Sequence, residues 1–303
     1  MQTITITAYR RPHYFEELLK SLVTNDLDGW VIHIFVESSP VQSEFRTIAE
    51  AMLDGHRWHI HFNDRRLGVK RNPFQAQRYV FEKGSELNLY LEEDLLLAPD
   101  VTRLARWYGT NKSDDEVCLN LVAGGCVSSG MLSHSNHAEV LVTTRVFNSL
   151  GFVVSAAQWE RHFEPHWFDF PFGMFSPTGG RLADWDCAIY AYVMSRSELR
   201  VVQPVEARAR HIGREDGENC GGNFHDQAFS DLYLSATASK TLNYRKCENW
   251  MELPHPVRSH LGLWQEMAGQ QRMGRKFARV VLWPLGPVYR VKAAYRSWRA
   301  MRR

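Results

Sequence analysis

The sequence predicts an α/β fold with a mainly parallel β-sheet. Short runs rich in β-branched and aromatic residues alternate with segments of helical spacing, and this alternation repeats through residues 1–91. Each run is separated from the next by enough residues for a crossover helix, which parallel pairing requires. With 303 residues, 44% of them hydrophobic, the chain can bury a core in one large domain or two small ones.

The first two strand–helix units follow from local patterning. ITIT at 4–7 is β-branched and predicts a strand. Residues 12–23 begin with a proline and carry apolar side chains at helical spacing, which predicts a helix. WVIHIFVE at 30–37 predicts the second strand, and residues 41–53 predict the second helix.

The alternation continues and then loosens. RWHIHF at 57–62 predicts a third strand, residues 73–83 a third helix, and LNLYL at 87–91 a fourth strand. Beyond residue 115 the expected elements are strands at 117–122 and 138–144, helices at 145–163 and 182–196, and a long aromatic surface loop at 163–180.

Three adjacent acids follow the fourth predicted strand. They are Glu92, Glu93 and Asp94, within LYLEEDLLLAPD. Ligands of parallel sheets bind outside the carboxyl ends of the strands. Carboxylates a few ångströms apart raise one another's pKa unless a cation compensates, and Mg²⁺ or Mn²⁺ prefers such oxygen ligands. The pattern therefore predicts a divalent-metal site; a solvated strand end is the alternative.

The stretch EEDLLLAPD resembles the acidic motif of GT-A glycosyltransferases, most closely the N-acetylglucosaminyltransferase I type. That resemblance implies a GT-A-like, Rossmann-like sheet flanked by helices. It also implies that Asp94 is the direct metal ligand and that Glu92 and Glu93 help to hold the nucleotide and metal-bound water. Glu93 stands where the family has Asp.

The segment ITAYRRP is similar to the opening of the same family, which implies nucleotide contacts from Ala8, Tyr9 and Arg11. An arginine between a strand end and a helix N-terminus also suits a diphosphate on physical grounds. A solvent-exposed arginine pair is the alternative. Glu37 ends the second strand, where the family often has an acid for the base or ribose.

The segment LGVKRNPF resembles the stretch before the family's third helix. Asn72 falls where the family places a polar residue near the nucleotide, and Lys70 is a candidate phosphate ligand. A solvated basic loop would give the same pattern.

The segment RLADWDCAIYAYVMSR resembles the family's Asp-Trp motif, whose Asp is the general base. Aligning Trp185 makes Asp184 the match, with Asp186 as its rival. Either carboxylate near a helix start could instead be a cap.

Two further predictions concern metal and acceptor. In many GT-A enzymes a late His completes the metal shell, and His211 is the candidate here, with a packed histidine as the alternative. It precedes a Gly-rich stretch that could close over the donor. Trp167 and Phe172 could stack on an acceptor sugar, or pack within their loop.

The implied reaction is inverting sugar transfer from a UDP-sugar, with Mn²⁺ or Mg²⁺, to a glycan or lipid-linked acceptor. The sugar would be GlcNAc or a related hexose. The alternatives are a non-catalytic nucleotide-sugar or carbohydrate-binding protein and a nucleotidyltransferase. The latter class usually carries a Gly-rich phosphate loop near the first strand, and ITAYRRP has no glycine.

We expect a donor-binding half at 1–115, an acceptor-binding and catalytic half at 116–250, and a basic helical extension at 251–303. Five widely spaced cysteines without a CxxC motif argue against a disulfide framework and fit a cytoplasmic protein. The sequence shows no signal peptide and no apolar run long enough to span a bilayer.

The last 32 residues, 272–303, carry ten Lys or Arg and no acid, whereas the whole chain has a net charge of +2. Aromatic and basic residues there fall on separate helical faces, which suits an anionic membrane surface. The segment therefore predicts peripheral membrane association on the cytoplasmic side. Nucleic-acid binding is not expected, although the same charges would permit it.

Overall fold

The computed structural model describes residues 1–122, 137–169, 185–215, 226, 234–236, 243–253, 255 and 257–259. Its strands are β1 (Gln2–Ala8), β2 (Trp30–Val36), β3 (Trp58–Phe62), β4 (Leu87–Glu92), β5 (Leu95–Leu97), β6 (Glu116–Asn120), β7 (Val140–Thr144), β8 (Phe152–Ser155), β9 (Arg200–Pro204), β10 (Ala209–His211) and β11 (Arg245–Lys246). Its helices are α1 (Pro12–Leu22), α2 (Gln42–Met52), α3 (Arg71–Glu82), α4 (Val101–Asn111), α5 (Ala156–Gln158) and α6 (Trp185–Met194). A π-helical turn, Trp159–Phe163, continues α5, and 3₁₀ turns cover Glu164–His166 and Trp250–Glu252.

Nine strands form one sheet in the order β11-β7-β9-β6-β8-β4-β1-β2-β3. The first four strands of the chain are mutually parallel, with β1 between β2 and β4. β8 runs antiparallel between β4 and β6, and β7 runs antiparallel to β9. The predicted α/β class with a mainly parallel sheet is confirmed. β5 and β10 form a separate antiparallel pair.

Helices cover both faces of the sheet because successive strand residues point to opposite sides. One face carries Ile4, Ile6 and Leu89, and it packs against buried apolar residues of α1, α2 and α4. On the other face, α3 packs on Phe35, and Tyr90 joins an aromatic cluster formed with the α5 region and α6.

The predicted helix at 145–163 is wrong over most of its length, because Phe152–Ser155 form strand β8. Gly151, at φ +79°, turns the chain into this strand, and the FVVS sequence favours extended backbone. Only its last part is helical, starting from a Ser155–Gln158 capping box. Helix α4 and strands β5, β9 and β10 were not predicted.

The parallel strands converge on one edge of the sheet. β1 ends at Ala8, β2 runs directly into Glu37, and β4 ends in the acidic triplet, so all three carboxyl ends meet there. Of the helices in the described ranges, none has the length and apolar character needed to cross a membrane.

Candidate active site

A cleft of about 710 Å³ opens at the edge where these strands end. It brings together nine residues singled out from the sequence: Ala8, Tyr9, Arg11, Glu37, Asn72, Glu92, Glu93, Asp94 and His211. They come from β1, β2, α3, β4 and β10, so only the folded chain assembles them. Their roles remain predictions, whereas their shared location is a property of the fold.

The acidic triplet occupies the tight turn between β4 and β5. The amide of Glu93 donates to the carbonyl of Thr7 (3.1 Å), which extends the β1–β4 pairing into the turn. Glu93 and Asp94 are buried, with 6% and 3% of their surface exposed. Glu92 accepts from the hydroxyl of Tyr90 at 3.2 Å. Two of the three carboxylates are thus held inside the protein rather than on a solvated strand end.

Arg11 supplies the cation in contact with this cluster. It is the residue before α1, and its Nε and Nη2 donate to Glu93 Oε1 at 3.0 and 2.7 Å. Its Nη2 also lies 2.7 Å from Asp94 Oδ2. One guanidinium therefore bridges two of the acids.

Asp94 is also contacted from the β10 side. His211 Nε2 lies 3.1 Å from Asp94 Oδ2, and the amide of Ile212 donates to the Asp94 carbonyl at 2.8 Å. Asp94 Oδ1 is buried and has no hydrogen-bond partner in the described part of the chain. An acceptor without a partner at this depth is costly, which favours a partner from outside the described residues, such as a bound cation.

The pKa values of the three acids are shifted in different directions. Burial, and then the charges of Asp94 and Glu93, raise the pKa of Glu92 well above its ordinary value. Burial and Asp94 raise the pKa of Glu93 to about 7, against the opposing effect of Arg11. Burial alone would raise the pKa of Asp94, but His211 and then Arg11 outweigh it, so that pKa is lowered. Asp94 is thus the one of the three acids whose ionised form is favoured by its partners.

The donor set fits Mn²⁺ or Mg²⁺. Asp94 presents an unpartnered carboxylate oxygen with an imidazole beside it, and two further carboxylates are within the same turn. Within the described ranges, no group of three or more His, Cys, Asp or Glu is already arranged to hold a metal. The fit is therefore to a cation that takes few protein ligands and completes its shell with substrate phosphates and water.

Glu37 and Asn72 line the cleft and also make hydrogen bonds within the protein. The Glu37 carboxylate accepts from the amides of Leu67 (2.7 Å) and Gly68 (2.6 Å). Asn72 accepts from the side chain of Asn63 at 2.9 Å. Both polar groups therefore fix the loop after β3 as well as lining the cleft.

The remaining predicted residues lie elsewhere. Asp186 is the second residue of α6, and its charge contributes to the raised pKa of Glu92 behind burial, Asp94 and Glu93. Lys70 precedes α3 and is not among the described residues that line the cleft. Asp184 and Phe172 lie outside the described residues.

For Trp167, the structure supports packing rather than stacking on a sugar. Its side chain is fully buried, with its ring 4.1 Å from that of Trp185 at an interplanar angle of 3°. Its Nε1 donates to the Lys70 carbonyl at 2.9 Å. The surface-loop prediction fails here because an aromatic core cluster extends into this segment.

Three solved structures are similar to this chain at low identity. PcManGT, a mannosyltransferase from Pyrobaculum calidifontis in complex with GDP-Man and Mn²⁺, is 16% identical over 98% of this chain and 82% of its own, with a TM-score of 0.49. TarS 1-349 from S. aureus in complex with UDP-GlcNAc is 15% identical over 66% of this chain and 56% of its own, with a TM-score of 0.44.

The third is a candidate glucose-1-phosphate thymidylyltransferase from Bacillus anthracis in complex with a sucrose. It is 10% identical over 75% of this chain and 96% of its own, with a TM-score of 0.43. No protein-family model and no curated protein matches the chain. Identities and TM-scores of this size leave the choice of function to the chemistry of the cleft.

Sequence reasoning missed three cleft features. Arg10 and Arg66 line the cleft, with guanidinium carbons 4.9 and 4.8 Å from the ring centre of Tyr9. Gly213 abuts the acidic turn so closely that a Cβ there would lie 2.3 Å from Asp94 Oδ2. The basic ITAYRRP and NDRR stretches signalled the arginines, but nothing local signalled Gly213, because its contact is tertiary.

Proposed function

We propose that this chain is a metal-dependent, inverting glycosyltransferase that takes a UDP-sugar and transfers its sugar to a glycan or lipid-linked acceptor. The observation that carries the proposal is the buried Asp94 Oδ1, which has no partner among the described residues, in a cleft that also presents arginines. Together these are the groups that a metal–diphosphate requires.

The cleft divides into chemically distinct parts. Tyr9, Pro40, Val41 and Val69 offer an apolar and aromatic wall for a nucleoside. Arg10 stands beside Tyr9 and would meet the phosphates. Asp94, with His211 beside it, would hold Mn²⁺ or Mg²⁺. On this assignment the base, the diphosphate and the metal would each have a separate part of the cleft.

The bound metal would neutralise charge developing on the nucleoside diphosphate leaving group. The acceptor hydroxyl would lose its proton to a carboxylate at the start of α6, Asp184 or Asp186. The Trp167–Trp185 stack packs this helix start against the protein, which fixes its position. Attack from the face opposite the leaving group inverts the anomeric centre.

Turnover of the donor without acceptor tests the proposal. With Mn²⁺ and UDP-GlcNAc, we expect slow release of UDP, abolished by EDTA and by Asp94→Asn. The Asp186→Asn variant should still bind UDP while losing transfer if Asp186 is the base. Binding without release would indicate a non-catalytic protein, and pyrophosphate-dependent exchange with UTP would indicate a nucleotidyltransferase. Both results would contradict the proposal.

We further propose that residues 272–303, which lie outside the described part, attach the enzyme to an anionic membrane surface at its cytoplasmic side. Each basic residue near such a surface adds about 1 kcal/mol of attraction. Co-sedimentation of the full chain with anionic vesicles should exceed that with neutral vesicles. Replacing Lys292, Arg296 and Arg299 by Gln should reduce it, and equal pelleting of both forms would oppose membrane attachment.

A further inference from the structure

Arg11 contacts the same carboxylate that is proposed to bind the metal. Its Nη2 is 2.7 Å from Asp94 Oδ2 and 2.7 Å from Glu93 Oε1. Only 14% of its side chain is exposed, so this is not a loose surface pair. A guanidinium that is bound this closely competes with any other cation for the same carboxylates.

The carboxylate oxygens of the acidic turn are only partly paired by Arg11 and His211. Asp94 Oδ2 is contacted by both Arg11 and His211, whereas Oδ1 has no partner among the described residues. One guanidinium also faces three adjacent carboxylates. Arg11 therefore stabilises the cluster without saturating it, as expected of a counter-ion that can be replaced.

Arg11 also belongs to the wall that would receive the diphosphate. The loop Tyr9–Arg11 connects β1 to α1 and lines the cleft, and Arg10 in this loop adopts φ +59°. A shift of the Arg11 guanidinium within the cleft would exchange carboxylate oxygens for phosphate oxygens, which are equivalent bidentate partners.

We propose that Arg11 is a resident counter-ion of the metal-free site, which yields Asp94 to the divalent cation and pairs with the donor diphosphate. This rests on the proposed function and adds a regulatory consequence. Metal alone must displace Arg11 from its partners, whereas metal and nucleotide together give Arg11 a new one. Each ligand therefore strengthens binding of the other by the same factor.

Manganese EPR tests this without turnover, because the free ion gives a signal that is lost on binding. Mn²⁺ is titrated into the wild type, Arg11→Gln and Arg66→Gln, each with and without saturating UDP. Arg66→Gln is the matched control, since it removes a cleft arginine that stacks on Tyr9 rather than bridging Glu93 and Asp94.

Without UDP, we expect Arg11→Gln to bind Mn²⁺ about 10-fold more tightly than the wild type, and Arg66→Gln to stay within about twofold. UDP should strengthen Mn²⁺ binding less in Arg11→Gln than in the wild type. Unfolding of metal-free Arg11→Gln should occur at a lower temperature, and Mn²⁺ should raise that temperature more than it does for the wild type. If Arg11→Gln does not fold, Arg11→Lys, which keeps the charge but loses the bridging geometry, should bind Mn²⁺ about threefold more tightly.

Unchanged or weaker Mn²⁺ binding by Arg11→Gln without UDP overturns the counter-ion role. So does an equal gain in Arg66→Gln, which would reflect general electrostatics. In either case the proposed function stands if UDP and Mn²⁺ still strengthen one another in the wild type. If the wild type binds no Mn²⁺ with or without UDP, the counter-ion role and the metal-dependent function both fail.

Discussion

Two buried clusters of arginine and carboxylate side chains can be compared within the described residues. In only one of them are the polar atoms fully paired. Around Arg208, which is fully buried, the donors are matched: Nε bonds both oxygens of Asp100 at 2.8 and 3.0 Å, and Nη1 bonds the Glu206 carbonyl at 2.6 Å. Nη2 bonds the Ala138 carbonyl, and Tyr244 donates to Asp100 Oδ2 at 2.7 Å. This cluster resembles a structural ion pair.

The acidic turn differs in each respect. Among the described residues, one arginine contacts the turn of three carboxylates, Asp94 Oδ1 has no hydrogen-bond partner, and the turn opens into a cleft. A buried ion pair is stable only when its remaining polar atoms are satisfied. Among the described residues, the first cluster is fully paired, whereas the second leaves one carboxylate oxygen available to a ligand.

Breaking the complete cluster should have the largest effect on stability. Arg208→Met removes one partner of a fully desolvated pair and leaves Asp100 uncompensated, so the free energy of unfolding should fall by about 3–5 kcal/mol. Urea denaturation measures this. The difference in unfolding free energy between Arg208→Met and the wild type should be the same with and without Mn²⁺ and UDP. Arg103→Ala is the control, since that arginine is 30% exposed and 4.0 Å from Asp100; it should cost less than about 1 kcal/mol. A mild effect of Arg208→Met would remove the contrast between the clusters.

Perturbing the incomplete cluster should affect binding more than folding. In Gly213→Ala, the new Cβ would lie 2.3 Å from Asp94 Oδ2 and 3.0 Å from Asp94 Cβ, so the carboxylate must shift. We expect Mn²⁺ affinity in the presence of UDP to fall about 10–100-fold, measured by calorimetry.

Gly109→Ala is the matched control for this change. Its Cβ would first meet the movable end of Leu87, at 2.9 Å, and its helix α4 contributes no described residue to the lining of the cleft. Equal losses of Mn²⁺ affinity in both variants would show that Gly213 has no specific role in positioning Asp94.

The Glu37 carboxylate lines the cleft, and it accepts hydrogen bonds from backbone amides of the loop after β3. Glu37→Gln replaces one acceptor oxygen by an amide group that cannot accept from the amide of Leu67 or Gly68. We expect a loss of about 1–2 kcal/mol in stability and a rise in the KM for the donor with a smaller change in kcat. A kcat-only effect would instead place Glu37 in the chemical step.

The smallest effect concerns a histidine cluster in which burial lowers the pKa values of His33 and His61. His33 Nδ1 lies 3.2 Å from His61 Nε2, His59 stacks on His33, and Tyr79 faces them from α3. Burial, and then His61 and His59, lower the pKa of His33 to about 4. Lys83 stacks on Tyr79 and adds a further positive charge nearby.

Because the folded state resists protonation of His33, stability is complete above pH 6.5 and falls as the pH drops from about 6.5 towards 4. His33→Phe should remove about 1 kcal/mol of this acid sensitivity, after allowance for solvent screening. Thermal unfolding at pH 7 and pH 5 measures it, with His13→Asn on the exposed surface of α1 as control. Identical pH dependence in the wild type and His33→Phe would exclude His33 as the cause.

The parallel half of the fold could be predicted because its signals are local. Strand and helix periods alternate cleanly through LNLYL, and the acidic turn follows directly from that order. The antiparallel strand β8 was harder to predict. FVVS favours extended backbone but leads directly into the helical pattern of AAQWER, and the boundary depends on pairing with β4 and β6. Helix α4 does carry a sequence signal. Val101, Leu104, Ala105 and Tyr108 recur at helical spacing, and these residues are buried along one face.

The charged residues of the candidate site could be predicted from the sequence, because their residue type alone suggests binding of a metal or a phosphate. The acids of the turn and Arg11 have charge that the cleft uses, and they lie together in the structure. The contact of Gly213 with Asp94 depends on the β5–β10 pairing, which no local pattern reveals. The same tertiary dependence explains why Trp167 is part of the core.

The central claim is that Asp94 binds a divalent cation that in turn holds a nucleoside diphosphate. Calorimetric titration of UDP into the wild type and Asp94→Asn, each with Mn²⁺ or with EDTA, tests it most directly. We predict that Mn²⁺ strengthens UDP binding by at least about 10-fold in the wild type and not at all in Asp94→Asn. Equal enhancement of UDP binding in the two proteins would contradict the claim.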